Sequence, residues 1–220
     1  MKNRFLFVVM LFTALTLGFA SCEGNDPDDT CTDYVDLGLS VKWATCNVGA
    51  SSPEETGCYF AWGETTPKTT YTWRTYKWCY GSYKTLTKYC TESDFGTIDN
   101  KTVLDLLDDA AVNMGFLWRM PTKAEQDELR EKCTWKWSTL NGVEGYYVKG
   151  PNGNAIFLPA AGYREGSDLY DAGSRGFYWS SSLCTTGYSN FAYSLDFNSG
   201  GMYWDAPGRC LGGSVRGVTK

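Results

Sequence analysis

The first 22 residues constrain this chain most, because they decide where it folds and which residues stay out of the fold. Lys2 and Arg4 open the chain, Phe5 to Ala20 is a nearly unbroken apolar run, and Ala20-Ser21-Cys22 ends it on two small residues and a thiol. A basic start, an apolar middle and a small-residue end are the layout of an export signal, and the run is short for a membrane-spanning helix. Folding is therefore expected in an exported, oxidising compartment, where thiols can pair. Removing residues 1–21 takes away two basic side chains and no acid, which moves the net charge from −5 to −7. An acidic chain of this kind is not built to neutralise phosphates, so a nucleic-acid partner is not expected. There is no histidine in the sequence. Histidine-based nucleophile activation and histidine-ligated zinc are both excluded.

The small-small-Cys ending resembles a bacterial lipoprotein signal, in which Cys22 becomes the acylated first residue; Phe19 stands where such signals usually carry leucine. The next stretch, Glu23-Gly24-Asn25-Asp26-Pro27-Asp28-Asp29, has no apolar side chain and reads as a solvated spacer, so 22–33 is taken as an acidic tether. Acidic residues directly after a lipid-bearing cysteine look like the surface-export signal of Bacteroidota lipoproteins. The implied location is the outer membrane, lipid-anchored and facing out, with the membrane as first partner. Of nine cysteines, Cys31, Cys46, Cys58, Cys79, Cys90, Cys133, Cys184 and Cys210 then remain. None shows C-x-x-C spacing, so a zinc or thioredoxin-like site is not indicated. Two or three disulfides are expected, with Cys184–Cys210 the most attractive because both flank one C-terminal loop region.

The remaining chain, 34–220, reads as one domain. In 34–43 the residues Val35, Leu37, Leu39, Val41 and Trp43 alternate with Asp36, Gly38, Ser40 and Lys42, which predicts a half-buried strand. Residues 57–63 read as a buried strand and 64–97, rich in Thr, Tyr, Lys and Trp, as long ordered loops. Lys101–Met114 reads as a helix burying Val103, Leu104, Leu107, Ala110, Ala111 and Met114, with Asp105, Asp108 and Asp109 outside. A second helix is predicted from the capping box Thr122-Lys-Ala-Glu125 to about Cys133, with Ala124, Leu129 and Cys133 on its buried side. Strands at 145–149 and 154–158 flank the turn Gly150-Pro-Asn-Gly153, and further strands are expected at 176–181, 191–197 and 213–218. Short strands, long loops and two helices make an α+β domain.

Seven segments in order carry a resemblance: 35–44 (VDLGLSVKWA), 47–50 (NVGA), 59–64 (YFAWGE), 118–122 (WRMPT), 156–162 (IFLPAAG), 178–182 (YWSSS) and 214–218 (SVRGV). Together they resemble the Fibrobacter succinogenes major paralogous domain of Bacteroidota lipoproteins, with Gly217 where that family usually has proline. The resemblance implies a C-type lectin-like fold, related to the formylglycine-generating enzyme group, with first and last strands paired and upper loops forming a ligand surface. It implies no established activity. On the residues themselves, Arg119 is expected to be a half-buried guanidinium bonded to carbonyls and a carboxylate. Tyr178 and Trp179 are expected in the core, Ser180 to Ser182 bonded to backbone, and Arg216 in an ion pair at the base.

Four functional classes stay open. A binding module for a glycan or protein would use the loops 183–190 and 198–210, with Tyr188, Asn190, Asn198, Met202, Tyr203, Trp204, Asp205 and Arg209 as candidates; aromatic rings stack on ligands while Asn, Asp and Arg supply hydrogen bonds. A variable display protein of a diversity-generating retroelement would use the Tyr/Ser/Asn/Asp-rich stretch 186–205. A structural part of a surface assembly such as a fimbrial tip is a third class. An enzyme like the formylglycine-generating relatives would need a copper-binding cysteine pair, for which only Cys184 and Cys210 come into view. No catalytic residue, metal or cofactor is indicated, calcium included.

Overall fold

The computed structural model describes residue 31, residues 33–186 and residues 188–220. The expected export signal 1–21, the expected acylation site Cys22 and nearly all of the expected tether lie outside them. The fold is α+β, with small antiparallel sheets and one α-helix.

The alternating run near the N-terminus keeps its alternation but not its shape. It folds back on itself: β1 (Tyr34–Val35) pairs antiparallel with β2 (Lys42–Ala44), Val35 opposite Trp43. Leu37, Val41 and Trp43 are buried and Asp36, Gly38 and Ser40 are exposed, as the pattern requires. Gly38 takes a φ of 75°, which reverses the chain where one straight strand was expected. The last strand, β11 (Val218–Thr219), pairs with the other side of β2, so the chain termini share one sheet as expected.

The capping box is present in both halves: Thr122 accepts from the Glu125 amide, and Glu125 accepts from the Thr122 amide at 2.8 Å. It starts α1 (Lys123–Lys132). Leu129 is buried as expected, but Ala124 is exposed and Gln126 is buried instead. The Gln126 amide donates to the Tyr178 and Trp179 carbonyls, so a polar residue faces the core to bond strand backbone.

The predicted helix at 101–114 does not form. Residues 106–108 and 110–114 are short 3-10 turns, and Asp105 before them and Asp109 between them have extended backbone. Val103 and Leu107 are exposed, whereas Asp108 and Asp109 are buried. The aspartates break the helix by turning inward. Asp109 accepts from the amides of Ala111 and Met120, and Asp108 accepts from the Tyr89 hydroxyl at 2.6 Å and from Lys88. The local bond from the Ala111 amide to Asp109 competes directly with the helical ladder, and the partners farther along the chain hold both carboxylates inward.

A three-stranded sheet joins β3 (Thr134–Leu140), β4 (Val143–Lys149) and β5 (Ala155–Pro159). The β4–β5 hairpin closes over 150–153 as predicted. Strand β3 was not predicted. Its turn, Asn141-Gly142, has φ of 48° and 87°, the pair of positive angles that a two-residue hairpin turn needs. After the small hairpin β6 (Tyr163–Glu165) and β7 (Asp168–Tyr170), the long strand β8 (Arg175–Leu183) pairs with β9 (Ala192–Asn198). Strand β10 (Gly201–Asp205) extends that sheet through a turn at Ser199-Gly200, in a stretch expected to be loop. Residues 57–63 are almost all buried but form a single bridge, Phe60 to Gly213, rather than a strand.

Candidate functional site

Two guanidiniums hold the two ends of the domain. Arg216 is 1% exposed and donates to the carbonyls of Ala44, Thr45 and Phe157 and to Asn47 Oδ1, at 2.8–3.0 Å. No carboxylate is among these partners, which corrects the expected ion pair. Burial pushes its pKa down to about 10. It ties the end of β2 to β5 at the base.

Arg209 is 0% exposed and cannot meet a ligand, which corrects its assignment as a binding residue. It donates to the carbonyls of Lys88, Tyr89 and Ser189 and to the Tyr76 hydroxyl. The faces of Trp62, Tyr76 and Tyr89 surround it, with ring centroids 5.0–5.9 Å from its central carbon. This one side chain fastens the 64–97 loops to the 183–190 loop. The same loops are held by tyrosine and tryptophan tips that donate to carbonyls. The Tyr71 hydroxyl bonds Tyr59 O at 2.6 Å, the Tyr76 hydroxyl bonds Trp62 O at 2.7 Å, and the Trp78 indole bonds Gly63 O at 2.6 Å. They are ordered without ladders because their buried carbonyls are paired by side chains instead.

On this frame lies a row of aromatic rings. Trp73 and Tyr83 are 6.2 Å apart, Tyr83 and Phe95 6.2 Å, and Phe95 and Tyr188 5.0 Å and stacked. Tyr188 is 58% exposed and Tyr83 40%. Three of the four rings come from the loop stretch that the sequence marked only as rich in aromatics. Tyr188 alone was named. Beside it, Asn190 is buried and its Oδ1 has no hydrogen-bond partner. Thr91 and Ser189 bond each other at 3.0 Å, linking the same two loop stretches.

The other candidates sit apart, on the β9–β10 hairpin, and most are engaged. Asn198 accepts from the Gly200 amide and shapes the turn. Trp204 donates to Asp127 at 2.7 Å and lies under Lys123 at 4.2 Å, pinning β10 to α1. Asp205 pairs with Arg175 at 3.1 Å, and Arg175 also holds the fully buried Asp196. Of this group Tyr203 is exposed, as a single ring.

No family model, curated protein or solved structure matches this chain.

Arg119, Trp179 and the serines after it are bonded within the fold, unlike the expected Arg216 ion pair. Arg119 forks onto Glu125 at 2.5 and 2.7 Å and donates to the Met120 carbonyl. Trp179 is fully buried and bonds the Phe60 carbonyl, while Ser180 bonds the Tyr193 carbonyl and Ser182 accepts from the Lys123 amide. The expected Cys184–Cys210 bridge is absent. Both are free thiols, whereas Cys31 and Cys46 form a disulfide. Cys184 follows β8, beside the Thr186 hydroxyl, while Cys210 sits in the aromatic cluster of the 59–90 loops, where burial pushes its thiol up to about 12. A thiol as reluctant to ionise as Cys210 is a poor nucleophile and a poor metal ligand. Among the described residues, no group of three or more Cys, Asp and Glu gathers as a metal site, and no helix is long and apolar enough to cross a membrane.

Proposed function

We propose that this chain is a non-catalytic, lipid-anchored surface protein whose domain, of C-type lectin-like architecture, binds a glycan along the Trp73–Tyr83–Phe95–Tyr188 row. The observation that carries this reading is the row itself: four rings from two separate loop stretches, in contact and partly open to solvent, on a frame fixed by a buried arginine. Rigid aromatic faces stack on the apolar faces of sugar rings at little entropic cost. The paired terminal strands and the structural use of Arg119, Trp179 and Arg216 support the architecture. The lipid anchor and surface location rest on the sequence around Cys22.

The test is a glycan array with the mature chain, followed by titration of any hit against Tyr83→Ala plus Tyr188→Ala. Binding lost in the double variant supports the reading. Binding that survives it, or a chain that binds only proteins, removes it. Incorporation of labelled palmitate that is abolished by Cys22→Ser tests the anchor separately. The display reading is less well supported, because Ser189, Asn190, Ala192 and Ser194 to Phe197 in its variable stretch are buried. An adjacent reverse transcriptase and template repeat would restore it.

A further inference from the structure

One feature of the fold is not absorbed by the binding row. Phe116 is 89% exposed and Leu117 84%, neighbours in a tight turn, and Leu107 earlier in the same segment is 84% exposed. The turn is not loose. Gly115 takes a φ of 122°, the Trp118 amide bonds the Gly115 carbonyl at 3.0 Å, and Met114 and Trp118 on either side are buried in the main core. Two large apolar side chains are thus held out into solvent by buried anchors on both flanks. Nothing polar lies between Gly115 and Trp118.

The fold also places this tip near the tether. Arg119, two residues on from Leu117, bridges Val218 on the open side of β11 and becomes a fourth rung of the terminal sheet. Val35 on β1 is the first rung. Three strand spacings, about 14 Å, separate the two. The chain enters this sheet from Cys31, which is fixed by its disulfide to Cys46 and by the hydrogen bond its amide donates to the Ala50 carbonyl. Nine residue steps from Cys22 to Cys31 span at most about 30 Å.

We infer that the Phe116–Leu117 tip inserts into the bilayer that carries the chain's own anchor, and so fixes how the domain sits on the membrane. The inference rests on the lipid-anchored part of the proposed function, not on the aromatic row. A protruding tip of two apolar side chains offers far less than the roughly 800 Å² per partner of a stable protein interface. It is enough for a bilayer once a tether holds it close, because the second contact is then intramolecular. The net charge of −7 expected for the mature chain favours a zwitterionic over an anionic lipid surface.

The test uses the mature chain with Cys22→Ser and an N-terminal hexahistidine in place of the acyl group, held on phosphatidylcholine vesicles by nickel-chelating lipid. A polarity-sensitive fluorophore on Leu117→Cys should shift to the blue on the vesicles. It should also become at least about threefold less accessible to aqueous iodide, a ratio read directly from the quenching slopes. The same label on Lys136→Cys should show neither change. Adding Phe116→Ser, a surface change that leaves the melting curve in place, should abolish the shift. Equal behaviour of the two labels overturns the inference. So does a shift that needs no vesicles and follows dimer formation, which would assign the tip to a second copy. Because the anchor here is artificial, either failure leaves acylation at Cys22 standing on its own test.

Discussion

The two buried arginines solve one problem in two settings. Each brings a guanidinium into the interior without a carboxylate and gives its N–H groups to oxygen acceptors. At the base, Arg216 sits among strands whose backbone is already laddered, and it welds two sheets together. Near the loop end, Arg209 sits where ladders are scarce. There the fork replaces the ladder: one side chain bonds Lys88, Tyr89 and Ser189 carbonyls and holds loops about a hundred residues apart in sequence. The difference explains why irregular segments can present a fixed aromatic surface. A planar five-donor group satisfies several divergent carbonyls at once, which lysine cannot.

The comparison breaks most visibly at Arg216. We expect Arg216→Met to strand three carbonyls and Asn47 Oδ1 in the core, costing on the order of 3–5 kcal/mol in a denaturant melt. The loss should be global, with all amides of β2 and β5 exchanging together. Arg209→Met should cost about 2–4 kcal/mol and be local. Amide exchange by mass spectrometry should show residues 62–97 opening first while β8 and β9 stay protected. If both variants open the same amides, the two arginines do not serve separate regions.

A smaller effect is expected from the second kind of buried charge. Burial pushes Asp109 and Asp196 up to about 6. Their folded pKa lies above the unfolded value, so their contribution is fully present below about pH 4 and is lost as pH rises through 6. Glu125, Asp99, Asp127 and Glu128 are held below their usual range by the hydrogen bonds and cations around them, against a desolvation that opposes the shift, and they act the opposite way, losing stability as pH falls below 4. Thermal melts should therefore rise from pH 7.5 to about pH 5 and fall again below pH 4. A flat profile would mean that Asp109 and Asp196 are ionised in the fold.

The smallest stability change should come from the aromatic row. Tyr188→Ala removes an exposed ring and should shift stability by no more than about 0.5 kcal/mol. If the row is the binding surface, the same variant should weaken binding at least about tenfold, the scale of losing one stacked ring. A large stability loss with unchanged binding would make the row a scaffold.

Sequence reading was reliable where the signal was local. The capping box at Thr122–Glu125 forms because both partners lie within one turn. The hairpin at 150–153 forms because its turn residues set its register. The alternation of 34–43 predicted which side chains are buried, though Gly38 bends the strand into a hairpin. Asn141-Gly142 was an equally local signal and was overlooked. The helix at 101–114 failed because its apolar spacing was satisfied by sequence alone, while Asp108 and Asp109 found distant partners in Lys88, Tyr89 and Met120.

The sequence by itself carried the export layout, the α+β class and the capped helix. Each follows from residues whose physical partners are near in the chain or whose polarity repeats with a fixed period. The tertiary structure decided which arginines are buried, which cysteines pair and which aromatics face outward. Those outcomes depend on acceptors and rings supplied by segments far apart in sequence. Trp73, Tyr83, Phe95 and Tyr188 carry no mark that distinguishes them from the core aromatics beside them. Only the packing of their loops around Arg209 sets them in a row.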